Sequence, residues 1–378
     1  MKKTCASLFT GGGIADLGFV AAGLEHAWGL ELDAPTAEVA NANIGNVKCM
    51  NILDANPYKF EAVDFLHASP VCKAFSNANI NRGERQLDKD CALKVCEFIK
   101  VLKPQYFSLE NVEAYGKSEA FGYIQETLNS LGYWSNWQVV NAADYGVPQS
   151  RRRLILRAVK DGFIPSLPAK EKHIGWYDAI ADLLPSLPDT ELAEWQIKRL
   201  PQEIKDSVLI GDMSGSFDFT VRKKDQPSGV LTETNCSRVN QVPRAFLVHP
   251  TDQRTMPVID ALSPSFTLTT NQGGNKIKAL LIENTGARSD RALYIREAGE
   301  PCWTIRAMGQ DGHWHRANAL LEHGRIVALD FHCLARLQSI PDDYIWADNK
   351  LITNTKIIGN AYPTLMAEKI TRNLCNLI

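Results

Sequence analysis

Between Thr4 and Ala158, short apolar runs alternate with segments whose apolar residues recur at helical spacing. No other feature of the chain restricts its fold as much. The runs are residues 4 to 9, 26 to 30, 47 to 52, 63 to 68, 106 to 109, 137 to 141 and 154 to 158. A helix pattern follows the first run, with Leu17, Val20, Ala21 and Leu24 on one face. Others cover residues 34 to 43, 88 to 102 and 121 to 131. From 88 to 102 the apolar side is Leu93, Val95, Cys96, Ile99 and Leu102, and Pro104 ends the helix because proline has no amide hydrogen to continue the ladder. Gly132 is suited to a left-handed cap on the last. Strands that alternate with helices predict an α/β fold, a doubly wound and mostly parallel sheet. Such sheets gather functional residues at the C-terminal ends of their strands.

The residues at those ends are chemically varied. The first run enters Thr10-Gly11-Gly12-Gly13, where missing side chains let a ligand approach the backbone. The turn departs from G-x-G-x-x-G, which weakens a dinucleotide reading. The second run ends in Glu31, placed to accept hydrogen bonds from ribose hydroxyls. The third ends at Asn51-Ile52-Leu53-Asp54. The fourth breaks at Ser69-Pro70, with Cys72 directly after and a polar segment from Ser76 to Asp90. A cysteine at a strand end beside a loop is where an α/β enzyme would carry a nucleophile, although a lone cysteine is more often an inert buried thiol. The fifth run delivers Glu110-Asn111-Val112. The sixth leads to Asp144-Tyr145-Gly146-Val147-Pro148-Gln149 and then Ser150-Arg151-Arg152-Arg153. Taken singly, Glu110 reads as a capping or surface carboxylate and the arginines as a solvated charge cluster. They gain weight because a parallel sheet would converge them on Cys72.

The chain has 378 residues, enough for two domains. Its nine cysteines, an odd number without a C-x-x-C pair, suit reduced thiols in a cytoplasmic setting and give no zinc pattern, so no metal is expected. No apolar run is long enough to span a bilayer, and the N-terminus reaches its glycine turn too early for a signal peptide. A net charge of −2 does not exclude nucleic acid, since a basic groove can sit on a neutral protein.

After about Lys160 prolines thicken and the alternation stops, which marks a domain boundary. Residues 209 to 321 read as β-rich and polar. They hold a weak repeat with prolines at 227, 264 and 301, each followed by an apolar run: 245 to 248, 279 to 282 and 319 to 321. Three such units suggest one extended irregular surface. The tail returns to helix patterns. Leu334, Leu337 and Ile340 precede Pro341, and after a polar loop Ile357 to Pro363 leads into an amphipathic helix from Thr364 to Leu374. That last helix is expected to belong with the first domain, so that the middle region is an insertion.

Together these segments resemble the cytosine-5 DNA methyltransferase family. FTGGGIADLG is similar to its AdoMet-binding turn, SPVCKAFS to its Pro-Cys segment, ENV to its glutamate motif and QSRRR to its Gln-x-Arg-x-Arg motif. ARLQSIPDDY and GNAYP resemble its two C-terminal motifs. Each match is weak alone, and six in the family's order are specific. The resemblance implies methylation of cytosine C5 in double-stranded DNA. It implies a Rossmann-like class I AdoMet methyltransferase domain over residues 1–165, a smaller irregular β-rich target-recognition domain over 166–325, and a segment over 326–378 that returns to the catalytic domain. It also implies S-adenosyl-L-methionine as cofactor, double-stranded DNA as partner, a monomer and a possible partner restriction endonuclease. The target base would be flipped out, with residues 76 to 90 as lid.

The chemistry can be argued on its own terms. Cytosine C5 is a poor nucleophile until a thiolate adds to C6, and Cys72 is the candidate. Addition drives negative charge onto N3 and O2, which Glu110 and Arg153 would stabilise, with Arg151 orienting the site or holding a phosphate. Elimination then frees the cysteine. On the cofactor side the resemblance gives Phe9 to the adenine, Gly11 and Gly13 to the methionine moiety and Glu31 to the ribose. Asn51 and Ile52 stand where the family has an Asp before an Ile, with Asp54 as a substitute, and Asn360 is expected beside the cofactor. Val71 and Lys73 replace the family's proline and glutamine, and Ile14 replaces the turn's second glycine. A bolder expectation is that Lys73 meets an anionic group on an altered sulfonium donor, so that a group other than methyl is transferred. A tRNA cytosine-5 methyltransferase and a DNA-binding protein with weakened catalysis are also compatible with these residues. An oxidoreductase is the rival at the level of fold, against which the glycine turn argues.

Overall fold

The computed structural model describes residues 2–70, 84–188, 247–248, 278–282, 295–297, 299–302, 318–320, 326–348 and 351–377. Seven strands form the main sheet: β1 (Thr4–Leu8), β2 (Glu25–Glu31), β3 (Val47–Cys49), β4 (Phe65–Ala68), β5 (Tyr106–Asn111), β6 (Trp134–Asn141) and β7 (Arg152–Val159). Their order is β3-β2-β1-β4-β5-β7-β6. The first five are parallel, and β7 runs antiparallel between β5 and β6. The strand order reverses direction between β1 and β4, so the crevice of a doubly wound sheet opens at the ends of those two strands.

The described α-helices are α1 (Ile14–Ala21), α2 (Ala34–Ile44), α3 (Gln86–Leu102), α4 (Glu119–Ser130), α5 (Trp176–Ile180), α6 (Phe331–Leu337), α7 (Leu351–Asn360) and α8 (Thr364–Leu374). One face of the sheet packs Leu66, Phe107 and Leu156 against Val95 and Ile99 of α3 and Phe121 and Ile124 of α4. The other packs Phe65 and Ile155 against Phe19 of α1 and Met366, Ile370 and Leu374 of α8. The last helix therefore shares a layer with the first. Side chains tie it down at several points. Thr364 Oγ1 donates to Ile14 O at 3.2 Å, Arg372 to Ala21 O at 2.6 Å and Lys3 Nζ to Cys375 O at 2.8 Å.

Several boundaries differ from the sequence expectation, each for a local reason. The third strand ends at Cys49 because the Asn51 side chain caps a 3-10 turn over Ile52–Asp54. The third helix starts at Gln86 rather than 88, with Asp88 accepting from the Arg85 amide. The last residues of the expected lid are thus helical. Leu93 of that helix is exposed and Phe98 is buried. The face of α1 is also reassigned. Val20 and Ala21 point outward, while Ile14, Ala15, Gly18 and Phe19 are buried. Small residues win that face because α8 comes so close. A Cβ on Gly18 would lie 2.5 Å from Thr364 O and 2.8 Å from Ala367 Cβ. Finally, residues 351 to 360 form α7 where the sequence predicts a polar loop leading into Ile357. Buried Asn354 exchanges hydrogen bonds with both backbone groups of Ala347.

In the middle region the described strands are β8 (Leu247–Val248), β9 (Lys278–Ile282), β10 (Ile295–Glu297) and β11 (Asn318–Leu320), and β12 (Ile326–Ala328), at the start of the expected C-terminal segment, pairs antiparallel with β11. The three apolar runs of the sequence repeat lie side by side here, β9 pairing antiparallel with both β8 and β11. Prolines 227 and 264 lie outside the described residues. Among the described residues no helix is long and apolar enough to cross a membrane, and no group of His, Cys, Asp or Glu could hold a metal ion.

The close contact of α1 and α8 makes a direct prediction. Gly18→Ala should lower stability by about 1–3 kcal/mol, since the added methyl meets backbone atoms that cannot rotate away. An unchanged urea midpoint would contradict the packing.

Candidate functional site

The first half of the site is the turn after β1. Phe9 has φ 62°, Gly11 58° and Gly13 78°. A left-handed phenylalanine is unusual and costs backbone energy, which places strain where the chain must turn sharply. Its side chain packs on the core beneath the turn. Glu31, at the end of β2, accepts from the Gly11 amide at 2.8 Å with one oxygen and from the Asp33 amide at 2.9 Å with the other. The carboxylate thus fixes the glycine turn, and each oxygen keeps a lone pair for a further donor.

The C-terminal segment closes over the same turn. Tyr344 Oη donates to Gly12 O at 2.6 Å. A Cβ on Gly12 would collide with Ile357 and come within 2.7 Å of Tyr344, so only glycine fits under α7. Above Gly11, by contrast, a Cβ would meet nothing within 4 Å. An open cradle is left there, beside Glu31. Asn360 is the exposed last residue of α7.

The structure also places two further cofactor candidates. Asn51 Oδ1, expected to receive an adenine amino group, accepts the Leu53 amide at 3.2 Å and so acts as a turn cap. Ile52 is 5% exposed and packs in the core, so its side chain offers a ligand little surface.

The second half lies two strands along. Glu110 is the penultimate residue of β5 and is 4% exposed. Arg153 Nε reaches Glu110 Oε1 at 3.0 Å, and the Ser69 hydroxyl donates to Oε2 at 2.8 Å. Further side-chain links join β4 and β5 on either side of that bond. His67 Nδ1 and Ser108 Oγ are 2.7 Å apart, and Asn111 Nδ2 donates to Pro70 O at 3.0 Å. Cys72, Val71 and Lys73, and most of the expected lid, lie outside the described residues.

Arg151 does not share Arg153's position. It is 2% exposed, and its guanidinium donates to Gly359 O at 3.0 Å near the C-terminus of α7. A cation there meets the negative end of the helix dipole. Gln338 Nε2 donates to the neighbouring Ile358 O at 2.8 Å. Arg151 is therefore built into the junction between β7 and the C-terminal segment, and its burial leaves little surface for a DNA phosphate. Just before it in sequence, Pro148 and Ser150 bond to the backbone of Cys302, which docks residues 299–302 beside Gln149.

A profile of the family described as C-5 cytosine-specific DNA methylase matches residues 3–376. The chain belongs to that family. Among curated relatives, a Type II methyltransferase of Lentzea aerocolonigenes, M.NaeI, is 32% identical over 165 residues, a stretch that makes up 41% of this chain and 39% of that protein. M1.HphI, a Type II methyltransferase of Haemophilus parahaemolyticus, is 25% identical over 98% of this chain and 86% of its own length. The chain thus spans less than half of the first relative and most of the second. Among solved structures, a DNA modification methyltransferase encoded in an Escherichia coli prophage aligns over 100% of this chain and 99% of its own, with a TM-score of 0.58 and 19% identity. The Dnmt2 methyltransferase of S. pombe aligns over 100% of this chain and 99% of its own, with a TM-score of 0.54 and 13% identity. Both show the fold, a Rossmann-like sheet with helices on its two faces.

Sequence reasoning gave no role of their own to Ser69, His67, Asn111, Tyr344 and Tyr362, although all but His67 lie in the motifs that carry the resemblance. Ser69 stood there only as the first residue of the SPVCKAFS segment. Once β4 and β5 are paired in register, however, Ser69 follows Ala68 just as Glu110 follows its partner Leu109. His67 is buried and stacked against Tyr362, with ring centroids 5.6 Å apart. Burial holds its imidazole down to about 3. The unfolded chain takes up that proton near pH 6.5 and the native state does not, so stability present above 6.5 is lost as pH falls from there toward 3. His67→Gln should therefore flatten the loss of stability between pH 7 and pH 5, read as urea midpoints at the two pH values. An equally steep loss in the variant would rule out His67 as its source.

Proposed function

We propose that this protein methylates cytosine C5 in double-stranded DNA, with S-adenosylmethionine as donor. The observation that carries the reading is the Glu110 carboxylate, buried at a strand end and paired with Arg153, one strand from the segment that leads into Cys72. When bound, S-adenosylmethionine supplies an electrophilic methyl group. The open space above Gly11 fits its methionine part and the free lone pairs of Glu31 fit its ribose. Glu31 and the backbone from Phe9 to Gly13 would hold it, with Asn360 alongside. The Cys72 thiolate adds to C6 of the flipped base and forms the S–C6 bond, pushing the ring electrons toward C5 and N3. Glu110 hands or shares a proton at N3, and Arg153 faces the charge on O2. After transfer a base takes the C5 proton and the S–C6 bond breaks, returning the electron pair to Cys72.

Arg151 acts here as a positioning residue, holding the strand that carries Arg153 against α7. Residues 166–325 serve as the recognition region, and its polar composition supports contacts to phosphates and base edges. The Type II description of the relatives supports pairing with a restriction endonuclease.

Duplex DNA with 5-fluorocytosine in place of cytosine tests the reading, because fluorine cannot leave as a proton and the covalent adduct persists. A denaturant-stable complex is expected with DNA and AdoMet. It should vanish in Cys72→Ala and form roughly 100-fold or more slowly in Glu110→Gln. Trapping only on 5-fluorocytidine RNA would overturn the DNA assignment, and trapping by Cys72→Ala would overturn the nucleophile. Mass spectrometry of ordinary product DNA would identify the transferred group, with 5-methylcytosine expected.

A separate measurement addresses the cofactor. Glu31→Ala should weaken AdoMet binding by about tenfold or more in calorimetry, since it removes both a ribose acceptor and the brace of the turn. Unaltered affinity would contradict the assigned cradle.

A further inference from the structure

Ser69 has no part in the reaction described above, yet among the described residues it is one of two whose side chains hold the Glu110 carboxylate. Its hydroxyl donates to Oε2 at 2.8 Å and lies 3.4 Å from the Glu110 carbonyl oxygen. Arg153 binds the other oxygen, Oε1. Beside Arg153, buried Tyr362 feels the same charge: its hydroxyl is pushed up chiefly by burial and further by Glu110. Glu110 is thus clamped by one cation and one neutral hydroxyl.

The two partners differ in what they tolerate. A guanidinium only donates hydrogen bonds and cannot accept one. A serine hydroxyl can rotate, donating to a carboxylate oxygen or accepting from a protonated one. Ser69 therefore keeps a hydrogen bond to Oε2 in both protonation states of Glu110. Catalysis needs this, because Glu110 must give a proton toward N3 and later recover it. The backbone around Ser69 is fixed for the task. The cross-strand link of His67 to Ser108 lies before it and that of Pro70 to Asn111 after it, and the Ser69 amide donates to Leu8 O at 3.2 Å.

We infer that Ser69 is a positioning residue of the methyl-transfer reaction, holding the Glu110 carboxyl in one orientation while its proton moves. Ser69 forms no covalent bond and carries no charge. The inference rests on the DNA-methylation reading above and deepens it.

Steady-state methylation of duplex DNA by the full-length chain tests it, with wild type, Ser69→Ala, Ser69→Thr, Glu110→Gln and the Ser69→Ala/Glu110→Gln double variant. Ser69→Ala should lower kcat by about ten- to a hundredfold while KM for DNA and for AdoMet stays within about threefold. Ser69→Thr, which keeps the hydroxyl, should recover most of the rate. In the Glu110→Gln background the alanine should cost little more, since the partner it served has already lost its proton chemistry. An undiminished kcat in Ser69→Ala would overturn the inference. So would an equal loss in both backgrounds, or a loss confined to KM. If Ser69→Ala fails to fold, Ser69→Cys takes its place. Its near-isosteric thiol is a weak donor, so a rate below wild type is expected, and a rate equal to wild type would count against Ser69. Absence of methylation by the wild type would strike the parent reading instead, so the two failures remain distinct.

Discussion

Burying a carboxylate costs several kcal/mol unless charge and hydrogen bonds replace the lost water. At Glu110 the replacement comes from Arg153 on one side and Ser69 on the other. Much of the surrounding architecture follows from meeting that requirement. β7 must run antiparallel beside β5 so that its first residues, Arg152 and Arg153, lie at the same edge of the sheet as the last residues of β5. β4 must be pinned to β5 so that Ser69 stays within reach. Arg151, two residues before Arg153, locks the start of β7 to α7. Three segments far apart in sequence therefore share one constraint, and each would lose its purpose without the other two.

A similar economy governs the glycine turn. Glu31 braces the backbone through the Gly11 and Asp33 amides, which leaves the carboxylate fixed before any ligand arrives. A group held rigid in advance loses little entropy on binding. Gly12 is needed for packing under Tyr344 and Ile357, whereas Gly11 leaves open space above it. Adjacent glycines thus answer to different demands, one set by packing and one by access.

Most of the sheet was legible because buried parallel strands read as continuous apolar runs, and their ends are marked by abrupt changes to Gly, Glu, Asn or Pro. The nearness of Glu110 and Arg153 was also legible, through motif order. What escaped has physical causes. The α1 face was misassigned because the sequence from Ile14 to Leu24 is apolar on nearly every side, and close packing chose Ala15 and Gly18 over the larger Val20. Helix α7 was missed because Ile, Thr and Asn are weak helix formers, and tertiary contacts override that preference. Ser69 left no trace in any periodicity, since its role exists only once two strands lie side by side.

The placement of α8 also bears on how the molecule is made. One face of the sheet, with Phe65 and Ile155, is covered in part by residues 362 to 375, and a chain emerges from the ribosome N-terminus first. At about 5–20 residues per second, the sheet's other face can fold against α3 and α4 many seconds before this cover is synthesised. During that interval an apolar surface stands open. Completion of this domain's core thus waits on synthesis of residues 362 to 375.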